Sequence, residues 1–211
     1  MIDTYARRRL ILEELGKWIL QCENEGWTSY LLTFMFNHLR GKRASIIRQM
    51  SKELERFYST LITRTVRNPR SPRVQEFLPK LIAYPDLPVY KHKKDGLDAV
   101  TINDGLHFHA IVLIPPVCQF NRLREPLDEH VRLNSDLYLG RLRKTIQVGN
   151  DEYQTKLTSE RLQRIHVQPT TFSTAGHATY GLKGIKGKEI PYDELLILPR
   201  TLNELSPKES R

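Results

Sequence analysis

His107-Phe108-His109 opens a run that continues Ala110-Ile111-Val112-Leu113-Ile114. In an extended strand alternate side chains point the same way, so the two imidazoles share one face while Phe108 points to the other. Two ring nitrogens at this spacing can hold a divalent cation with one more protein ligand, leaving positions open for a substrate. The apolar run behind them marks a buried strand and makes its start the floor of an active site. The plainer reading is a solvated histidine pair at a sheet edge.

A second group with chemical potential is His177-Ala178-Thr179-Tyr180-Gly181-Leu182-Lys183. On a helix, residues three apart share a face, so His177, Tyr180 and Lys183 line up. A phenol with a reference pKa of about 10 is a weak nucleophile while protonated. A metal polarising the phosphate under attack, and a lysine stabilising the charge that accumulates, would both assist it. Alone, the segment reads equally as a tyrosine packed at a helix–sheet seam beside a solvated lysine. Together with the histidine pair, phosphodiester cleavage accounts for both.

The charge distribution points to the same kind of substrate. The chain of 211 residues carries a formal charge of +9. Its basic residues concentrate between Arg40 and Arg73, where Arg40, Lys42, Arg43, Arg48, Lys52, Arg56, Arg64, Arg67, Arg70 and Arg73 stand against only Glu53 and Glu55; Lys183, Lys186 and Lys188 form a second cluster. Such clustering is the footprint of a phosphate-backbone partner, with Arg40, Lys42, Arg43, Arg48 and Lys186 as candidate contacts. An ordinary solvated helix face is the alternative. The basic helix has no Trp-rich face to suit a membrane surface, and no apolar run approaches a membrane span. The N-terminus lacks the pattern of a secretory signal, and Cys22 and Cys118 have no metal spacing, so free thiols in a reducing compartment are expected.

The elements that must position these groups follow from periodicity. A helix is expected over 3–23, with Leu10, Ile11, Leu15, Trp18 and Ile19 at helical spacing, ended by Gly26. A strand is expected over 29–37 and a basic helix over 42–60. A second strand is expected over 77–84, stopped by Pro85 and Pro88. The histidine strand covers 105–114, and a helical region lies within 120–144, where Pro126 suits a helix interior poorly. A strand over 161–168, a helix over 174–182 and a short strand over 195–201 complete the pattern. The fold class expected is α+β, a central antiparallel sheet flanked by helices. Domain boundaries are expected at an N-terminal helical extension (1–26), a sheet-based domain (27–200) and a C-terminal tail (201–211).

These motifs resemble the HUH endonucleases, named for histidine, hydrophobic residue, histidine, and within them the single-tyrosine initiators of rolling-circle replication. His107-Phe108-His109 followed by Ala110-Ile111-Val112-Leu113 is similar to the family's metal-binding strand. Ala178-Thr179-Tyr180-Gly181-Leu182-Lys183 resembles its Tyr-x-x-Lys helix, and Tyr30-Leu31-Leu32-Thr33-Phe34 occupies the place of its first motif. The resemblance implies a ferredoxin- or RRM-like sheet, Mg²⁺ or Mn²⁺ on His107 and His109, Tyr180 as nucleophile and Lys183 as assisting cation. It also implies single-stranded or cruciform DNA as substrate. Many members carry a third, acidic ligand on the preceding strand. Leu81-Ile82-Ala83-Tyr84 has no carboxylate, which leaves Asp86, between Pro85 and Pro88, or His92.

Position 184, one helical turn beyond Tyr180, is Gly184, so only one nucleophile is expected. No phosphate-binding Gly-x-x-x-x-Gly-Lys-Ser/Thr loop occurs, and strand separation would fall to a host helicase or to supercoiling. A homodimer would supply a second tyrosine. The expected setting is the cytoplasm of a bacterial host carrying a mobile replicon. Two other readings remain at this level. One is a non-catalytic nucleic-acid-binding module in which Tyr30, Phe34 and Phe36 stack bases. The other is a metal-dependent phosphoesterase, although His166-Val167-Gln168 supplies no second histidine motif.

Overall fold

The computed structural model describes residues 4–87, 102–116, 121–140, 143–147, 153–157, 161–170, 182, 185 and 192–200. Its elements in chain order are α1 (Thr4–Asn24), β1 (Thr28–Phe36), α2 (Arg43–Thr65), β2 (Lys80–Asp86), β3 (His107–Ile114), α3 (Leu127–Leu133) and α4 (Ser135–Leu139). These are followed by β4 (Arg143–Gln147), β5 (Tyr153–Leu157), β6 (Leu162–Pro169) and β7 (Leu196–Leu198). The fold is α+β, as expected.

Five strands form one sheet in the order β6-β1-β3-β2-β7, with every neighbouring pair antiparallel. The centre goes to β3 because Phe108–Ile114 are buried without interruption, and only a strand covered on both faces can use such a run. Phe108, Ala110 and Val112 face α2, where Phe34 of β1 meets Phe57 edge-on at 5.0 Å between ring centroids. Phe57 in turn lies 5.0 Å from Tyr138 of α4, so α2 and α4 share one core on that face. On the opposite face, Lys80 of β2 lies under α1, its ammonium 5.0 Å from the Trp18 ring and 4.3 Å from that of Trp27. Leu15, Ile19 and Cys22 of α1 belong to the main hydrophobic cluster. The N-terminal helix is therefore packed onto the sheet rather than held apart from it.

Several local expectations are corrected. The second strand does not stop at Pro85: it begins at Lys80, after a 3₁₀ turn over Pro72–Phe77, and continues to Asp86. β7 pairs with Leu81–Ala83, and among the described residues no strand lies on the outer side of β2 at Pro85. That is where a residue without an N–H is tolerated. The basic helix runs to Thr65, five residues beyond the expected end, because Leu61, Ile62 and Thr65 are all buried. Pro126 sits at the start of α3 and not inside it. The β4–β5 hairpin was not expected, although β-branched residues on both sides of Gly149-Asn150 carry its signal. The expected helix over 174–182 lies outside the described residues, apart from the buried Leu182. Among the described residues, no helix is long and apolar enough to cross a membrane.

One turn fixes the entry to β3. Asn103, Asp104 and Gly105 take φ of 56°, 54° and 73°, a left-handed run that Asn, Asp and Gly adopt most readily. The buried Asn103 amide accepts a hydrogen bond from the Leu39 backbone N–H at 2.8 Å and donates to the Asn37 carbonyl at 2.9 Å. It thereby ties the chain leaving β1 to the turn that starts the histidine strand. Asn103→Ala removes both bonds and strands two backbone groups; a loss of about 2 kcal/mol in stability is expected by urea denaturation.

Candidate metal centre

The register of three strands builds the site. Asp86 pairs with His107 across β2 and β3, and His109 pairs with Tyr84 on β2 and Thr33 on β1. Because side chains alternate, His107, His109, Asp86, Tyr84 and Thr33 all project on the face that carries α1. Asp86 and His109 are buried and His107 is nearly so. His107 Nε2 lies 3.2 Å from His109 Nε2, and Asp86 Oδ2 lies 3.5 Å from His109 Nε2 and 3.8 Å from His107 Nε2. The nearest point equidistant from these three atoms, at the centre of their triangle, is about 2.0 Å from each, the bond length of a small divalent cation to nitrogen or oxygen. Two imidazole nitrogens and one carboxylate oxygen also form a donor set suited to such an ion. The residues present fit a metal.

The histidines are held from behind. His107 Nδ1–H donates to the Gly105 carbonyl at 2.9 Å, which leaves the Nε2 lone pair directed into the cluster. His109 Nδ1 meets the Thr33 hydroxyl at 3.1 Å. These outer partners orient the rings, as second contacts of metal-binding histidines ordinarily do. In the sequence Thr33 belongs only to a hydrophobic motif, and the pairing of β1 with β3 is what sets it opposite His109.

Of the two third-ligand options, Asp86 joins the histidines, whereas His92 lies outside the described residues. Tyr180, Lys183 and Lys186 lie outside them too. On either side of Lys183, Leu182 and Ile185 are both fully buried, and the Ile185 carbonyl accepts a hydrogen bond from Arg8 of α1 at 3.2 Å. Tyr84 is the described tyrosine paired with His109. It is buried, and burial pushes its hydroxyl up to about 12, with neighbouring carboxylates adding and Arg8 opposing.

The basic region separates into two kinds of residue. Arg40, Lys42, Arg43 and Arg48 are exposed. Arg40 follows directly on the segment that Asn103 fastens beside the histidine strand, so this cationic stretch, Arg40 and Lys42 before α2 and Arg43 and Arg48 within it, leaves the sheet at the triad's end. Arg56 is different. Its guanidinium pairs with Glu53 at 2.8 Å and donates to the carbonyls of Leu137 and Tyr138, closing the end of α4. It is a structural cation, and its inclusion in a phosphate-facing cluster is corrected. The base-stacking role considered for Tyr30, Phe34 and Phe36 is corrected as well, since all three are buried in the core.

Sequence reading missed one surface. Along β6, Arg164, His166 and Gln168 are exposed while Ile165 and Val167 are partly covered. Their register with Met35, Thr33 and Leu31 puts them on the histidine face. The alternation of polar and β-branched residues from Arg164 to Gln168 is its signal in the sequence.

No protein-family model matches the chain, and comparisons with curated proteins and with solved structures return no match.

Proposed function

We propose that this chain is a metal-dependent endonuclease that nicks and rejoins single-stranded or cruciform DNA through a 5′-phosphotyrosine at Tyr180. The observation that carries the reading is the conjunction of Asp86 with His107 and His109 on adjacent strands, at bonding distance from a common point. It supplies the acidic third ligand that the HUH resemblance calls for. Mg²⁺ or Mn²⁺ held there would neutralise charge on a non-bridging oxygen of the scissile phosphate. With two imidazole donors, Mn²⁺ is expected to bind more tightly than Mg²⁺.

The chain's own residues supply the rest. Tyr180 attacks phosphorus as its phenolic proton is lost to solvent, the bond to the 3′ oxygen breaks, and that oxygen takes a proton from solvent to give a free 3′-hydroxyl, while the other strand end stays on Tyr180 through its 5′ phosphate. Lys183 offsets the negative charge that gathers on the phosphoryl group. The phosphodiester energy is kept in the tyrosyl bond, so attack by a 3′-hydroxyl reseals the strand without a nucleotide cofactor. Arg40, Lys42, Arg43, Arg48 and Lys186 hold flanking phosphates, and the exposed polar side chains of β6 extend this surface across the sheet. Initiation of rolling-circle replication is the biological role this chemistry suits.

Electrophoresis under denaturing conditions after incubation with single-stranded DNA and Mn²⁺ tests the activity. A protein–DNA adduct is expected, and chelator should prevent it. Salt dependence tests the basic stretch: each phosphate contact to single-stranded DNA contributes about 0.7 to the slope of log K against log salt. Arg40→Ala and Arg43→Ala should each remove about that amount. Arg56→Ala should lower stability and leave the slope unchanged. Equal slopes in all three variants would take the stretch out of the binding surface.

A further inference from the structure

We infer that Thr33 is a positioning residue whose hydroxyl reverses its hydrogen bond when the triad takes up a cation, allowing His109 to change tautomer without gaining or losing a proton. The inference rests on the reading of Asp86, His107 and His109 as a metal centre.

The Gly105 carbonyl can only accept, so His107 carries its hydrogen on Nδ1 and presents a lone pair at Nε2. His109 Nε2 faces that lone pair at 3.2 Å. Two lone pairs at this separation repel, so in a neutral His109 of the metal-free protein Nε2 carries the hydrogen, facing His107 Nε2 at 3.2 Å and the Asp86 carboxylate at 3.5 Å. A neutral imidazole has one N–H. His109 Nδ1 is then an acceptor, and the Thr33 hydroxyl, 3.1 Å away, must donate to it.

A cation at the triad needs both Nε2 lone pairs. His109 satisfies that demand, with no net change in protonation, by carrying its hydrogen on Nδ1. That N–H now needs an acceptor, and Thr33 Oγ1 has one at the same place. The branched threonine side chain stays in its rotamer while only the hydroxyl hydrogen turns. A group restricted to donating or to accepting would favour one state and penalise the other. A hydroxyl serves both.

Two measurements separate this role from simple packing. In ¹⁵N NMR spectra of the intact metal-free protein, His109 should show the Nε2–H tautomer and His107 the Nδ1–H tautomer. Addition of diamagnetic Zn²⁺ should move the His109 hydrogen to Nδ1 and leave His107 unchanged. Mn²⁺ titration followed by electron paramagnetic resonance should show Thr33→Val, which keeps the shape without the hydroxyl, binding about 10–100-fold more weakly. Thr33→Ser should recover most of that loss. His109 already protonated at Nδ1 without metal, or a Thr33→Val affinity equal to wild type, would overturn the inference. A wild-type protein that binds no Mn²⁺ and shows no change with Zn²⁺ would instead overturn the metal centre itself. The wild-type spectra need no variant, so a Thr33→Val protein that fails to fold leaves the test in place.

Discussion

His107→Ala combined with His109→Ala is expected to abolish Mn²⁺ binding and to reduce metal-dependent DNA cleavage by at least a thousandfold, about 4 kcal/mol of transition-state stabilisation. The size of the effect follows from the donor count. Removing two nitrogens leaves Asp86 alone, and a single carboxylate does not hold a divalent ion at the scissile phosphate. The sheet should survive, because Phe108 and Ala110–Ile114 anchor β3 through their burial between α1 and α2, not through the imidazoles. Circular dichroism and urea denaturation check that point, and titration with Mn²⁺ checks the metal. Cleavage at the wild-type rate in the double variant would remove the triad from the reaction. Asp86→Asn provides a milder companion: it keeps the shape and loses the charge, and should weaken Mn²⁺ binding while leaving the fold intact.

The second large effect belongs to Tyr180. Tyr180→Phe deletes one oxygen and keeps the ring, so DNA binding and its salt dependence should be retained while the covalent adduct disappears. Lys183→Ala should slow adduct formation by about 10²-fold without preventing it, because an electrostatic contribution lowers a barrier and does not supply the attacking atom. Tyr192→Phe and Tyr153→Phe should form adduct normally. Gel analysis of protein and radiolabelled single-stranded DNA distinguishes these variants in one experiment. An adduct that persists in Tyr180→Phe would move the nucleophile elsewhere.

The histidine pair was legible in the primary structure because a strand's period of two is stringent: His107 and His109 had to share a face once the run was extended. Asp86 was harder to place. Pro85 looks like a strand terminator, yet among the described residues no strand flanks the outer side of β2 there, and the residue after it keeps register with His107. Proline's effect depends on which backbone edge it occupies, and a lone sequence does not reveal that edge. Arg56 shows the same limit for charge. It stands in a run of exposed cations and carries the same charge, but Glu53 and two carbonyls of α4 claim it. Thr33 entered the reading through its strand, and only the β1–β3 pairing brings its hydroxyl to His109. The aromatic residues of β1 illustrate the converse: Phe34 and Phe36 suit base stacking by type, but both fill the core. Residues whose role depends on their own strand's period could be read locally. Those defined by an element distant in sequence could not.

Mass spectrometry of the covalent species tests the central claim most directly. The full chain, loaded with Mn²⁺ and incubated with single-stranded DNA, would be digested with protease and nuclease and its nucleotide-bearing peptide sequenced. The expected product is a single peptide spanning Tyr180, modified on that tyrosine through a 5′ phosphate, and absent when a chelator is added beforehand. A nucleotide on any other residue, or an adduct that forms equally well with the metal removed, would contradict the account.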